Sequence, residues 1–229
     1  MGTAWETIET QAMTYIQNDI SLVWDMRNRL PVFYNRMLSY MREAIPLFNR
    51  PAEMVVRLAQ NTPPEFTDGV YTAEETTTGT TAINTGLTGY DIVSAGVVSQ
   101  DAYGDPQYNP LPVTYDSATG IVTIGQGIAA GTEITMDFYK SGCFRDELNA
   151  TEISILAFAV YFVWEQRFDN DAIERKSKIR DGSFTTISEA SQTNANSGRQ
   201  RLVAEQLYGK MREYETNVAY LNTVKNYNL

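Results

Sequence analysis

The chain has 229 residues, 43% of them apolar and 20% charged, with 18 Lys+Arg against 28 Asp+Glu and a net charge of −10. These figures suit a folded protein with an ordinary core and exclude a disordered acidic tail. Histidine is absent and Cys143 is the single cysteine. That excludes histidine-dependent triads, imidazole bases, histidine-ligated metal, intrachain disulfides and cysteine-rich zinc sites.

The stretch Met1–Glu9 has no basic region and no apolar run, so it does not read as a secretory signal. The longest apolar run, Ile155 to Trp164, spans 10 residues; a bilayer core needs roughly 20. It reads as a buried helix in a soluble protein made in a reducing cytoplasm. Asn149-Ala150-Thr151 fits a glycosylation sequon, read as chance without a secretion signal.

Charge and glycine divide the chain in three. Residues 1–67 are net −1, residues 68–147 net −9 and residues 148–229 neutral, and the middle holds 11 of the 15 glycines. The expected class is α+β: a helical bundle formed by the N- and C-terminal segments (1–67 and 148–229), with an inserted small antiparallel β domain at 68–147.

In the first segment Ile8, Ala12, Tyr15, Ile16, Val23 and Met26 recur at helical spacing. Pro31 stops or kinks that pattern. Phe33, Met37, Tyr40, Met41 and Ala44 form a second helical face ending before Pro46. Pro51 opens a short third helix to about Gln60, and Thr62-Pro63-Pro64 ends helical structure.

In the middle, Tyr90–Val93 leads into Ala95–Val98 as a strand, and Leu111–Tyr115 is a second strand. Asp116–Gly120 is a hairpin turn returning through Ile121–Ile124. From Thr132 to Tyr139, Ile134, Met136 and Phe138 share one face while Thr135, Asp137 and Tyr139 share the other. This predicts a small sheet or barrel with one buried face. Thr72–Thr88 reads as loop or weak strand and Gln100–Pro110 as loop.

In the last segment Thr151 is the expected N-cap of an apolar helix, with Glu152 in the first turn. Asp169-Asn170-Asp171 is expected to interrupt it, and Ala172–Arg180 forms a basic turn or two. Ser188–Gly198 is small and polar, a stretch exposed or ordered by a partner. Val203, Leu207, Met211, Tyr214, Val218 and Leu221 then make a heptad-like seam on a long C-terminal helix.

The chemistry candidates are weak. Gly125-x-Gly127-x-x-x-Gly131 lacks dinucleotide spacing and precedes a strand, so it reads as a turn. Asp169, Asp171 and Glu174 miss the calcium-loop positions. Asp101 and Asp105, beside Tyr103 and Gly104, are turn formers. Cys143 has no base to activate it. Arg175, Lys176, Lys178 and Arg180 are offset by neighbouring acids and read as a solvated face or subunit contact. No cofactor or metal is expected, and no enzymatic activity. Tyr208, Tyr214, Tyr220 and Tyr227 line the C-terminal segment, and tyrosine is enriched at wet, packed interfaces.

The Thr/Gly-rich runs Ile92–Val98, Val113–Ile124 and Ala130–Tyr139, the helical frame around them and the long C-terminal helix together resemble tailed-bacteriophage head-to-tail connectors, the neck ring or adaptor proteins. The resemblance implies a non-enzymatic ring of about twelve copies at the virion neck. Its partners are itself, the portal, other neck or tail proteins and passing double-stranded DNA held without specific contacts, with no membrane. It places Tyr208, Met211, Tyr214, Val218, Leu221 and Tyr227 at an oligomer or portal interface. It allows Asp91, Asp101, Asp105 and Asp116 to face the lumen, where negative charge keeps DNA from sticking. The alternatives are another virion part (tail-completion, collar or head-decoration), a carbohydrate-binding β module around residues 101–108, and a carboxylate hydrolase using Asp101, Asp105 and Asp137.

Overall fold

The computed structural model describes residues 2–16, 19–28, 30–74, 79–100, 103, 106–178 and 189–227, without the side chains of 28, 106, 169–178, 189–197, 226 and 227. The side chains of the expected basic run at 175–180 and of Asp169, Asp171 and Glu174 lie outside what is described. Helices and antiparallel sheets are both present, an α+β chain. It divides into two compact units. One comprises residues 1–23, 36–62 and 143–229; the other comprises residues 24–35 and 63–142. The expected insert at 68–147 therefore differs at both ends. The compact unit begins five residues early, at Pro63, strand pairing with β8 begins three residues early, at Glu65, and residues 143–147 belong to the helical unit.

The helical unit begins with α1 (Trp5–Tyr15). The helical pattern expected to run through Met26 is broken after Ile16. There Asp19 starts α2 (Ile20–Asn28) by accepting from the Leu22 amide at 2.9 Å. Then come α3 (Leu30–Ala44), a single 3-10 turn at Ile45–Leu47 and α4 (Ala52–Ala59); residues 24–35 of α2 and α3 belong to the second unit. Pro31 sits in the first turn of α3, where its missing donor costs nothing.

Two short strands, β1 (Asn61–Thr62) and β9 (Cys143–Phe144), pair antiparallel, Asn61 with Phe144 and Thr62 with Cys143. The chain thus leaves and re-enters the helical unit at one place, the condition an insertion needs. Cys143 is an exposed member of this pair. Gly2 passes so close to it that a Cβ would lie 1.6 Å from the Phe144 carbonyl oxygen; only glycine fits there. Trp5 stacks on Phe144 at 5.8 Å.

Helix α5 (Ala150–Lys178) is the axis of this unit. Its Ile155–Val160 and Phe162–Trp164 stretches are buried. It packs on α1 through Tyr15, whose ring meets Phe158 edge-on at 5.5 Å. The cap is Asn149, not Thr151: Asn149 Oδ1 accepts from the Thr151 and Glu152 amides, both at 3.0 Å, and Glu152 Oε2 accepts from the Asn149 amide at 2.8 Å. This is a reciprocal capping box. The expected break at Asp169–Asp171 is absent, and α5 runs on without interruption.

Helix α6 (Glu189–Tyr227) has 39 residues and includes residues 189–198 of the polar stretch expected to be exposed or ordered by a partner. At 1.5 Å per residue it is about 58 Å long. Val203, Leu207 and Met211 are buried, while Tyr220 and Leu221 are exposed.

The second unit is built on strands β2 (Glu65–Thr72), β3 (Thr81–Asn84), β4 (Asp91–Gln100), β5 (Pro106–Pro110), β6 (Val113–Asp116), β7 (Ile121–Ile124) and β8 (Glu133–Lys140). One sheet has the order β2-β8-β4-β5 and the other β3-β7-β6, with every pairing antiparallel. A shared apolar core joins the two sheets: Ala73, Ile83, Ala95, Val122, Ile124, Ile134, Met136 and Phe138. The expected alternation on β8 is thus present, and Gly120 turns the β6–β7 hairpin at φ +72°. Tyr139, on the opposite face from Phe138, is also buried, because Tyr34 stacks on it at 4.3 Å. Two strands differ from expectation. Most of β2 was assigned no element and β5 was read as loop, yet β2 pairs with β8 along its whole length and β5 pairs with β4 from Gly96 to Gln100.

Candidate functional site

Arg57 on α4 and Glu152 on α5 form the best-defined polar centre. Glu152 is buried, and the Arg57 guanidinium donates to both of its carboxylate oxygens. The same guanidinium reaches Asp146 at 3.4 Å and the Glu147 carbonyl at 3.2 Å. Tyr214 on α6 donates to Glu152 Oε1 at 2.5 Å, and its ring meets Phe48 edge-on at 5.9 Å. Burial, together with the hydrogen bond to Glu152, pushes the Tyr214 phenol up to about 12. Every polar atom here is answered by another group of the chain, which makes the centre a tie between three helices.

A groove lies between α6 and residues 49–50. It has a volume of about 530 Å³ and is lined by Asn49, Arg50, Glu205, Tyr208, Gly209 and Arg212. Glu205, Tyr208, Gly209 and Arg212 follow i, i+3, i+4, i+7 spacing, which places them on one helical face. Gly209 leaves the floor open, since a Cβ there would meet nothing within 4 Å. Tyr208 is 48% exposed. Arg50 lies 3.9 Å from Glu215, and Glu205 accepts from Arg201 at 3.0 Å. The groove therefore presents two guanidinium groups and a phenol on apolar walls, a surface suited to carboxylates and an apolar side chain.

The expected interface residues fall into three environments. Tyr208 lines the groove. Met211 is fully buried within the protomer, and Tyr214 is half-buried and held by Glu152. Val218 is half-buried and Leu221 is exposed. Tyr227 lies outside the described side chains. Of the expected lumen acids, Asp101 and Asp105 lie outside the described residues. Asp91 and Asp116 are exposed at strand ends, and both act on Tyr115. Burial first, then these two charges, push the Tyr115 phenol up, although Thr85 opposes them.

Arg50, Arg57, Glu205 and Arg212 were not singled out from the sequence. The Asn149-x-x-Glu152 pattern was the available signal for the tie, and the i, i+3, i+7 spacing of Glu205, Tyr208 and Arg212 was the signal for the groove.

Among the described residues, no group of three or more metal-binding side chains occurs, and no helix is long and apolar enough to cross a membrane. No protein family, curated protein or solved structure matches the chain.

Proposed function

We propose that the chain is a non-enzymatic structural subunit of a phage virion. In this reading about twelve copies form a neck ring that joins the portal to the tail and conducts DNA. The helical bundle of N- and C-terminal segments is the ring-forming body, and the β unit is its insert.

The observation that carries the reading is the course of the α6 seam. Its first half, Val203, Leu207 and Met211, is buried within the protomer. The same 3–4 spacing continues outward to Leu221, which is 56% exposed, with Tyr220 beside it at 68%. A soluble protomer gains nothing from an apolar stripe in water; a neighbouring subunit would cover it. Charge gives second support. The β unit carries eleven acidic and three basic side chains, net −8, the sign that keeps DNA sliding along a channel wall.

Electron microscopy of the chain mixed with a portal ring tests the reading. The expected image has an added annulus on the portal axis. Bare portals beside dispersed protomers would overturn it.

One observation favours a second reading, a carbohydrate-binding β module. Tyr103 is 92% exposed in the β4–β5 connection, with Tyr108 at 46%. A glycan-binding screen that loses its signal on Tyr103→Ala and Tyr108→Ala would support that module.

A further inference from the structure

A closed ring needs two different surfaces per copy that fit each other, one at each side of the protomer. The groove on α6 is one candidate surface. Its charged lining comprises Arg50, Arg212 and Glu205; Glu205 is paired with Arg201 and Arg50 lies 3.9 Å from Glu215, which leaves Arg212 as the uncompensated charge. Its remaining charge is positive, and its walls are apolar beside Tyr208.

The β unit carries the complementary surface. β2 is an edge strand, bonded to β8 on one side only. Its exposed face presents Asp68 and Val70, the latter 63% exposed. In the register, Asp68 stands opposite Asp137, and Val70 opposite Thr135. Like charges directly opposite across a ladder destabilise a sheet, so this pairing is a cost within the protomer. A cation from outside offsets it. By contrast, the other edge of the same sheet, β5, begins and ends in proline, which blunts it against docking.

We propose that the groove of one copy seats the β2 edge of the next copy. Arg212 faces Asp68 across the contact, and Tyr208 covers Val70. The contact is heterologous, so it repeats from copy to copy, as a ring requires. The proposal rests on the ring reading and names its interface.

The test is a charge swap, using the full chain alone and with the portal ring. Sedimentation velocity reads the assembled fraction for wild type, Arg212→Glu, Asp68→Arg and the double variant. Both positions are exposed, so folding should persist, and circular dichroism checks it. Each single variant is expected to weaken assembly by about tenfold or more, because it sets like charges against each other. The double variant is expected to recover most of that loss. If wild type assembles and the single variants match it, or if the double variant recovers nothing, the groove contact is wrong while the ring stands. If the single variants lose only portal binding and still self-assemble, the portal occupies the groove and the proposal is overturned. If wild type stays monomeric in both conditions, the ring reading itself falls, and the interface with it.

Discussion

In the helical unit the acids Glu152 and Glu165 are buried, and each meets an arginine. Arg57 grips Glu152, and Arg199 Nε lies 2.5 Å from Glu165 Oε1. Asp19, also buried, accepts from Trp164 Nε1 at 2.8 Å. In the β unit the acids Asp68, Asp91, Asp116 and Glu133 are exposed around a core cluster of apolar residues alone. The first unit uses charge inside, at short range, to fix which helix meets which. Among the described residues of 63–142 in the second, no charged side chain is buried; its one buried acid, Asp25, lies on the helical stretch 24–35. Removing a charge should therefore unfold the one and merely change the associations of the other.

The largest effect should come from the apolar core of the β unit. Phe138 is fully buried between the sheets, and Phe138→Ala should cost about 3–5 kcal/mol, read by denaturant unfolding. Hydrogen exchange should place the loss in the strands. A loss spread equally over α5 would break the division into two units.

Next is Arg57→Ala, which leaves Glu152 buried without its cation. Arg57 is itself about one-third exposed, so the cost should lie near the low end for a broken buried pair, about 3 kcal/mol. Asp68→Asn should stay within about 0.5 kcal/mol in the same assay, as surface substitutions do. Equal costs for the two would contradict the contrast in charge use.

Glu9 sharpens it further. Burial, then the charge of Glu6, raise its carboxyl from 4.5 to about 8. The folded state therefore holds a proton that the unfolded state releases. Its contribution is complete below about pH 4.5 and is lost as pH rises through about 8. Stability should fall over that window by on the order of 2 kcal/mol, discounting for incomplete burial. Glu9→Gln should flatten the profile, measured as unfolding midpoints against pH. An unchanged slope in Glu9→Gln would assign the dependence to other groups.

Asn149→Ala should have a smaller effect than the loss of Arg57 or of the Glu9 proton. It removes the cap of α5 and should cost about 1 kcal/mol. Thr151→Ala, at the position expected from sequence to be the cap, should cost less, since Thr151 contributes only its amide to the cap.

Much of the β unit was legible because period-two alternation is strong where one face is buried. Ile134, Met136 and Phe138 announced β8, and Asp116–Gly120 announced its turn. β2 and β5 were missed because Gly69 and the prolines at 106 and 110 are poor strand formers. Their order comes from the neighbouring strands β8 and β4, which no local pattern reveals. The continuity of α5 through Asp169–Asp171 was missed because local break signals are weak against a helix already held by a long buried face. The groove was half legible. Tyr208 stood out by residue type, but Arg50 reaches the site only through the fold.

The ring is the central claim, and native mass spectrometry of the purified chain, alone and with a portal ring, tests it most directly. The account predicts a closed species of about twelve copies, or about twelve copies added to each portal. A protomer that stays monomeric in both samples would contradict it.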